Sequence, residues 1–207
     1  MKSGSRGRVV LIHGWMGSPS GEFLPWLKRR LEAKGYEVLV PKMPHTNHPK
    51  REEWLAKLSR AIGVPDGNTF LVGHSIGGKL IPYYLLKLNN GQKIGGALII
   101  ASWMDVRTGK FKSLRRARMM AQWLEVPRGW KKMLSHTTNF RALYSDNDPW
   151  IPLNAAATFK RRLGAKVVIA HQGHFYRKSS GIILRETLRM MKDAPQRVKR
   201  LNEKRLV

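Results

Sequence analysis

Apolar residues fall along this chain in two alternating rhythms. Short β-branched or aliphatic runs occur at Val9 to Ile12, Glu37 to Val40, Phe70 to Val72, Ala97 to Ala101, Ala142 to Tyr144 and Lys166 to Ala170, and these read as six strands. Between them, Glu22 to Lys34, Arg51 to Ile62, Gly77 to Leu88 and Leu153 to Leu163 place apolar residues three and four apart, which predicts amphipathic helices. Strand-helix alternation of this kind predicts an α/β protein: a three-layer α/β/α sandwich with a mostly parallel sheet of about six strands covered on both faces. No internal repeat at a fixed period is visible. A chain of 207 residues with 42% hydrophobic content is long enough for one sizeable core, so residues 1–207 are read as a single domain.

Two segments depart from the alternation. Residues 105–138 carry Arg115, Arg116 and Arg118 beside Met119, Met120, Trp123 and Leu124, and are read as a candidate short helical cap. The plainer reading is a pair of helices packed on the sheet edge with a solvated basic face. Residues 193–207 form a basic tail interrupted at Pro195, expected to be a frayed helix or disordered.

Composition narrows the chemistry. The chain has no cysteine, which excludes disulfides, cysteine nucleophiles and thiolate metal sites. The opening Met1 to Arg8 is short and polar, with no apolar stretch suited to a signal peptide or membrane span, so a cytoplasmic location is expected. Lys and Arg number 39 against 13 Asp and Glu, a formal net charge of +26, and such a field attracts anions of any kind. Nonspecific polyanion association is therefore admissible. The cations are spread over many helices and no RRM, KH or zinc-finger signature is present; a solvated basic surface is the commoner meaning of that pattern.

In open parallel sheets ligands bind outside the carboxyl ends of the strands. The residues just after the predicted strands include His13-Gly14-Trp15, Gly73-His74-Ser75, Ser145 to Asp148 and His171 to His174, which brings a Ser, an Asp and a His to one sheet edge. Gly73-His74-Ser75-Ile76-Gly77 fits G-x-S-x-G between a strand and a helix, the context a nucleophile elbow requires. A serine hydroxyl attacks only when a base takes its proton, and the elbow places the Ile76 N–H at a helix N-terminus, where a developing oxyanion is favoured. The order Ser75, Asp148, His174 is that of α/β hydrolases. Asp146 is the alternative acid, with turn capping as its plainer role. His171 is the alternative base, His74 reads as a packing or hydrogen-bonding residue beneath the elbow, and His45 and His48 read as surface residues. Trp103 and Trp150 follow strand ends and are candidate pocket residues. No histidine pair has helical spacing with a carboxylate, and neither a metal nor a cofactor is expected.

Gly-His-Ser-x-Gly at 73–77, Ser-x-x-Asp-Pro-x-x-Pro at 145–152, Gly-His-Phe at 173–175 and Pro-x-Met-Pro at 41–44 together resemble the retinoblastoma-binding protein 9 family of small serine hydrolases. The resemblance runs from about Val9 to Met191. It implies an α/β-hydrolase fold with Ser75 as nucleophile, His174 as base and Asp148, immediately before Pro149, as the acid. It also admits peptide cleavage. The chain departs from that family at His13-Gly14-Trp15-Met16-Gly17, which is closer to the His-Gly oxyanion loop of lipases and esterases; the second oxyanion N–H is then that of Trp15, with Gly14 as the alternative. The leading expectation is hydrolysis of a small-molecule carboxylic ester, or another acyl substrate, through an acyl-enzyme on Ser75. A thioesterase or peptidase using the same triad, and a polyanion-binding module on a hydrolase scaffold, are the alternatives.

Overall fold

The six apolar runs are strands: β1 (Arg8–Ile12), β2 (Glu37–Leu39), β3 (Thr69–His74), β4 (Gly96–Ile100), β5 (Phe140–Ser145) and β6 (Lys166–Ala170). All pair in parallel in the order β2-β1-β3-β4-β5-β6. The computed structural model describes residues 4–104, 120–176 and 179–194. Its helices are α1 (Leu24–Glu32), α2 (Arg51–Ile62), α3 (Ile76–Lys87), α4 (Trp130–His136), α5 (Ala155–Leu163) and α6 (Ser180–Lys192). Helices α2, α3, α4 and α5 lie side by side on one face, while α1 and α6 meet on the other. None of the described helices is long and apolar enough to cross a membrane.

Local sequence accounts for these elements. Strands β3 and β4 are buried at every position, as aliphatic runs must be when helices cover both faces. Strand β6 closes the sheet as an edge and leaves Ile169 exposed. Helix α1 opens with a proline in its first turn, and α2 carries Glu52 and Glu53 in its first turn and Arg60 in its last, both favourable to the helix dipole. The chain passes from β1 to β2 on one side and returns to β3 on the other. That reversal opens a crevice beyond the carboxyl ends of β1 and β3.

The candidate cap falls partly outside the described residues, which omit 105–119. Its second half belongs to the helical layer: α4 packs beside α3 as the crossover between β4 and β5. Residues 120–124 are helical and sit on α2 and α3. The Trp123 indole N–H donates to the Pro49 carbonyl at 2.9 Å, and its ring meets Trp54 edge-on at 5.7 Å. Lys79, fully buried in α3, donates from Nζ to the carbonyls of Met104 at 2.6 Å and Glu125 at 2.7 Å. Beyond residue 194 the basic tail lies outside the described residues.

Candidate active site

The elbow forms because its residues allow it. Ser75 adopts φ 54° and ψ −122° as the residue between β3 and α3, a strained backbone for any side chain but glycine. The turn is so tight that a Cβ on Gly73 would lie 2.5 Å from the Gly77 carbonyl oxygen, and one on Gly77 would collide with the Ile12 carbonyl. The Ser75 N–H donates to the Ile100 carbonyl at 2.9 Å, which ties the turn to β4. Ile76 then occupies the first position of α3, one of four whose N–H groups have no partner inside the helix.

The loop after β5 supplies Asp148. Its Oδ1 accepts from the Trp150 and Ile151 N–H groups at 2.8 and 3.0 Å, which leaves Oδ2 to accept from Nδ1 of His174 at 2.8 Å. The two side chains are only 2% and 9% exposed, so this bond is shielded from water. It fixes the imidazole with Nε2 as the proton-accepting nitrogen. Among the described residues the Ser75 hydroxyl forms no hydrogen bond, His174 included; in free enzymes such contacts are often long and tighten with substrate.

His74 braces His174 from below. Its Nε2–H donates to the His174 carbonyl at 2.8 Å and its ring lies 4.8 Å from that of His174. Burial, with the neighbouring His174 second, lowers its pKa to about 3. It therefore stays neutral and a donor, the hydrogen-bonding role expected beneath the elbow.

His13 performs a similar service for the loop after β1. The Met43 N–H donates to His13 Nε2 at 3.2 Å, so Nδ1 carries the proton and donates to the Gly14 carbonyl at 2.9 Å. That carbonyl also accepts from the Gly17 N–H at 3.1 Å. The Gly14–Trp15 peptide is thus held by its oxygen, with the Trp15 N–H on the opposite side of the trans peptide plane. Burial lowers the His13 pKa, preserving the neutral tautomer. A Cβ on Gly14 would sit 3.2 Å from Ser75 Cβ, so this loop abuts the elbow.

The alternative acid and base pair with each other. His171 Nδ1 donates to Asp146 Oδ1 at 2.7 Å, with the side chains 76% and 51% exposed, outside the Asp148–His174 pair. Between the two pairs stands Asn147, to which the sequence reading gave no role. Its Oδ1 accepts from the Gly173 N–H at 2.7 Å and the Ser145 hydroxyl at 2.6 Å, and its Nδ2 donates to His171 Nε2 at 3.0 Å. The signal available in sequence was its place between two aspartates in the acid loop.

Of the two candidate pocket tryptophans, Trp103 is buried, with its indole N–H on the Trp123 carbonyl at 3.1 Å, and serves as core. Trp150 is 61% exposed on the acid loop. A cavity of about 420 Å³ lies elsewhere, lined by His45, Thr46, Asn47, His48 and Lys50. It adjoins the β1 loop, since Met16 N–H donates to the Thr46 carbonyl and the Trp15 indole N–H to that of Asn47. His45 donates to Glu53 at 2.7 Å.

Comparison with known proteins bears on the family and the fold. The family model described as serine hydrolase matches residues 9–190. YdeN of Bacillus subtilis, named as a hydrolase, is 28% identical over 169 residues, 81% of this chain and 85% of that protein. Its crystal structure superposes with a TM-score of 0.79 at 25% identity, covering 90% of this chain and 99% of that one. Est1E of Butyrivibrio proteoclasticus, solved with ferulic acid bound, has a TM-score of 0.72 at 14% identity over 93% of this chain and 91% of its own. A Xanthomonas campestris protein described within the α/β hydrolase superfamily has a TM-score of 0.62 at 14% identity, over 91% and 98%. The fold is that of the α/β hydrolases.

Proposed function

This chain belongs to the serine hydrolase family, and on that premise we propose that it hydrolyses carboxylic esters through an acyl-enzyme on Ser75. The observation that carries the reading is the buried 2.8 Å bond between Asp148 Oδ2 and His174 Nδ1, held at the same sheet edge as a serine in the strained elbow conformation. The finer resemblance to the retinoblastoma-binding protein 9 family supports the same acid, the aspartate before Pro149.

His174 Nε2 takes the Ser75 proton as Oγ attacks the ester carbonyl, and Asp148 stabilises the imidazolium that forms. Negative charge collects on the former carbonyl oxygen, where the N–H groups of Ile76 and Trp15 receive it. Collapse of the tetrahedral intermediate breaks the C–O bond to the alcohol, which leaves with the proton from His174. Water then gives a proton to His174 and attacks the acyl-enzyme, and a second collapse returns that proton to Ser75 Oγ and releases the acid.

Purified Ser75→Ala assayed with p-nitrophenyl acetate is expected to lose roughly 10³-fold or more in kcat/KM, with the fold intact by circular dichroism. A folded Ser75→Ala variant that keeps the wild-type rate contradicts the assignment.

A further inference from the structure

Basic residues that are scattered in sequence meet on one side of the fold. Arg128, Lys131 and Lys132 at α4, and Lys160, Arg161 and Arg162 on α5, are all exposed, and the two helices are neighbours in one layer. The Arg162 guanidinium lies 5.7 Å from the Trp130 ring centre, joining the two helices. No Asp or Glu occurs between Glu125 and Asp146, or between Asp148 and Glu186. Among the described residues none of the six cations has an ion-pair partner, whereas on the opposite face Lys28, Arg185 and Arg189 meet Glu32 or Glu186.

Helix stability accounts for only half of this cluster. The three cations of α5 stand in its last turn, where the dipole favours them. Lys131 and Lys132 stand in the first turn of α4, with Arg128 just before its N-cap Gly129, where the same dipole opposes positive charge by about 0.3–1 kcal/mol per group. A local rule broken without local compensation marks a functional surface.

We propose that the α4–α5 face binds a nucleic-acid duplex through its phosphates, without reading base sequence. A duplex carries a charge about every 1.7 Å along its axis, so unpaired, solvated cations spread over two helices meet phosphates in any register. An anionic bilayer fits less well. Helices that lie on membranes bury an apolar face, and among the described residues no exposed large apolar side chain lies within α4 or α5; only Val126 and Leu153 flank them.

The test is fluorescence anisotropy of the full-length protein with a labelled duplex of about 20 base pairs in about 50 to 300 mM KCl. Wild type is expected to bind with log K falling linearly in log salt. The variant Lys131→Gln, Lys132→Gln, Arg161→Gln, Arg162→Gln should lose at least about tenfold in affinity and about 2 to 4 units of that slope, near 0.9 for each lost phosphate contact. A control removes the same charge elsewhere through Arg29→Gln, Lys34→Gln, Arg60→Gln and Lys192→Gln, and should retain most of the binding. Ester hydrolysis and the circular dichroism spectrum should be unchanged in both. Equal loss in the two variants would assign binding to net charge alone and overturn the site. So would absence of binding at the lowest salt, or tighter binding to phosphatidylglycerol vesicles through the same four residues.

Discussion

Asn147 stands at the centre of the contacts that join the loop after β5 to the loop carrying His174, beside the Asp148–His174 and Asp146–His171 pairs and the bond from the Gln172 N–H to the Ser145 hydroxyl at 2.8 Å. Its carboxamide oxygen receives the N–H of Gly173 and the hydroxyl of Ser145, and Gly173, at φ 54°, turns the chain so that His174 follows in place. Removing that oxygen loosens the loop carrying His174, and misplacement of about 1 Å can cost roughly 10²-fold in rate. Asn147→Ala is therefore expected to lower kcat by about 10- to 100-fold with little change in KM. Asn147→Asp keeps the acceptor and should recover much of the loss; steady-state kinetics of the two variants check the claim. Ser75 and His174 were legible from motif and flanking strand because a nucleophile elbow has strict local demands. Asn147 was not, since its partners lie up to 26 residues away. The choice between Asp148 and Asp146 came from the resemblance alone, and the hydrogen bonds to two different histidines supply its physical reason.

At the scale of elements, the six strands and the helices α1, α2, α3 and α5 could be read from periodicity, with ends shifted by at most two residues and with β6 and α2 matched at both ends. Helix α4 was absorbed into the candidate cap because it has only seven residues and follows a segment without clear period. The burial of Lys79 is equally illegible in the sequence, since a lysine amid apolar helix positions ordinarily reaches solvent. Here it stays inside and ties Met104 and Glu125, at the two ends of the β4–α4 excursion, to α3. Arg51 adds to the anchorage by donating to the Gln122 carbonyl and the Glu125 carboxylate at 2.6 Å. Lys79→Met keeps the apolar stem but leaves the Met104 carbonyl without its donor, at about 1–3 kcal/mol, while the Glu125 carbonyl keeps the Tyr83 hydroxyl at 2.7 Å. Urea denaturation should show a loss of about 1–3 kcal/mol; a variant as stable as wild type would mean the Met104 carbonyl finds another donor.

At the scale of the whole molecule, buried neutral histidines make stability depend on pH. His74 has its pKa lowered from the ordinary 6.5 to about 3, so on acidification the unfolded chain takes up a proton before the folded one does. The stability that its neutral ring contributes is complete above about pH 6.5 and is lost as pH falls from there toward 3, by at most about 1.4 kcal/mol per pH unit. His13, lowered for the same reason, adds in the same direction. Thermal midpoints should therefore fall between about pH 6.5 and 5, and His74→Gln, which keeps a donor for the His174 carbonyl, should flatten that fall. The Ser75 elbow, the Gly14–Trp15 peptide and the Asp148–His174 pair converge only because β1, β3, β5 and β6 run parallel and end at one edge. The most direct test of that convergence is intact-mass analysis of wild type and Ser75→Ala after treatment with a fluorophosphonate probe, which reports an activated serine without the natural substrate. The expected result is one adduct on wild type and none on Ser75→Ala; a folded wild type that takes no adduct, or a Ser75→Ala variant that still takes one, contradicts the assignment of Ser75 as nucleophile.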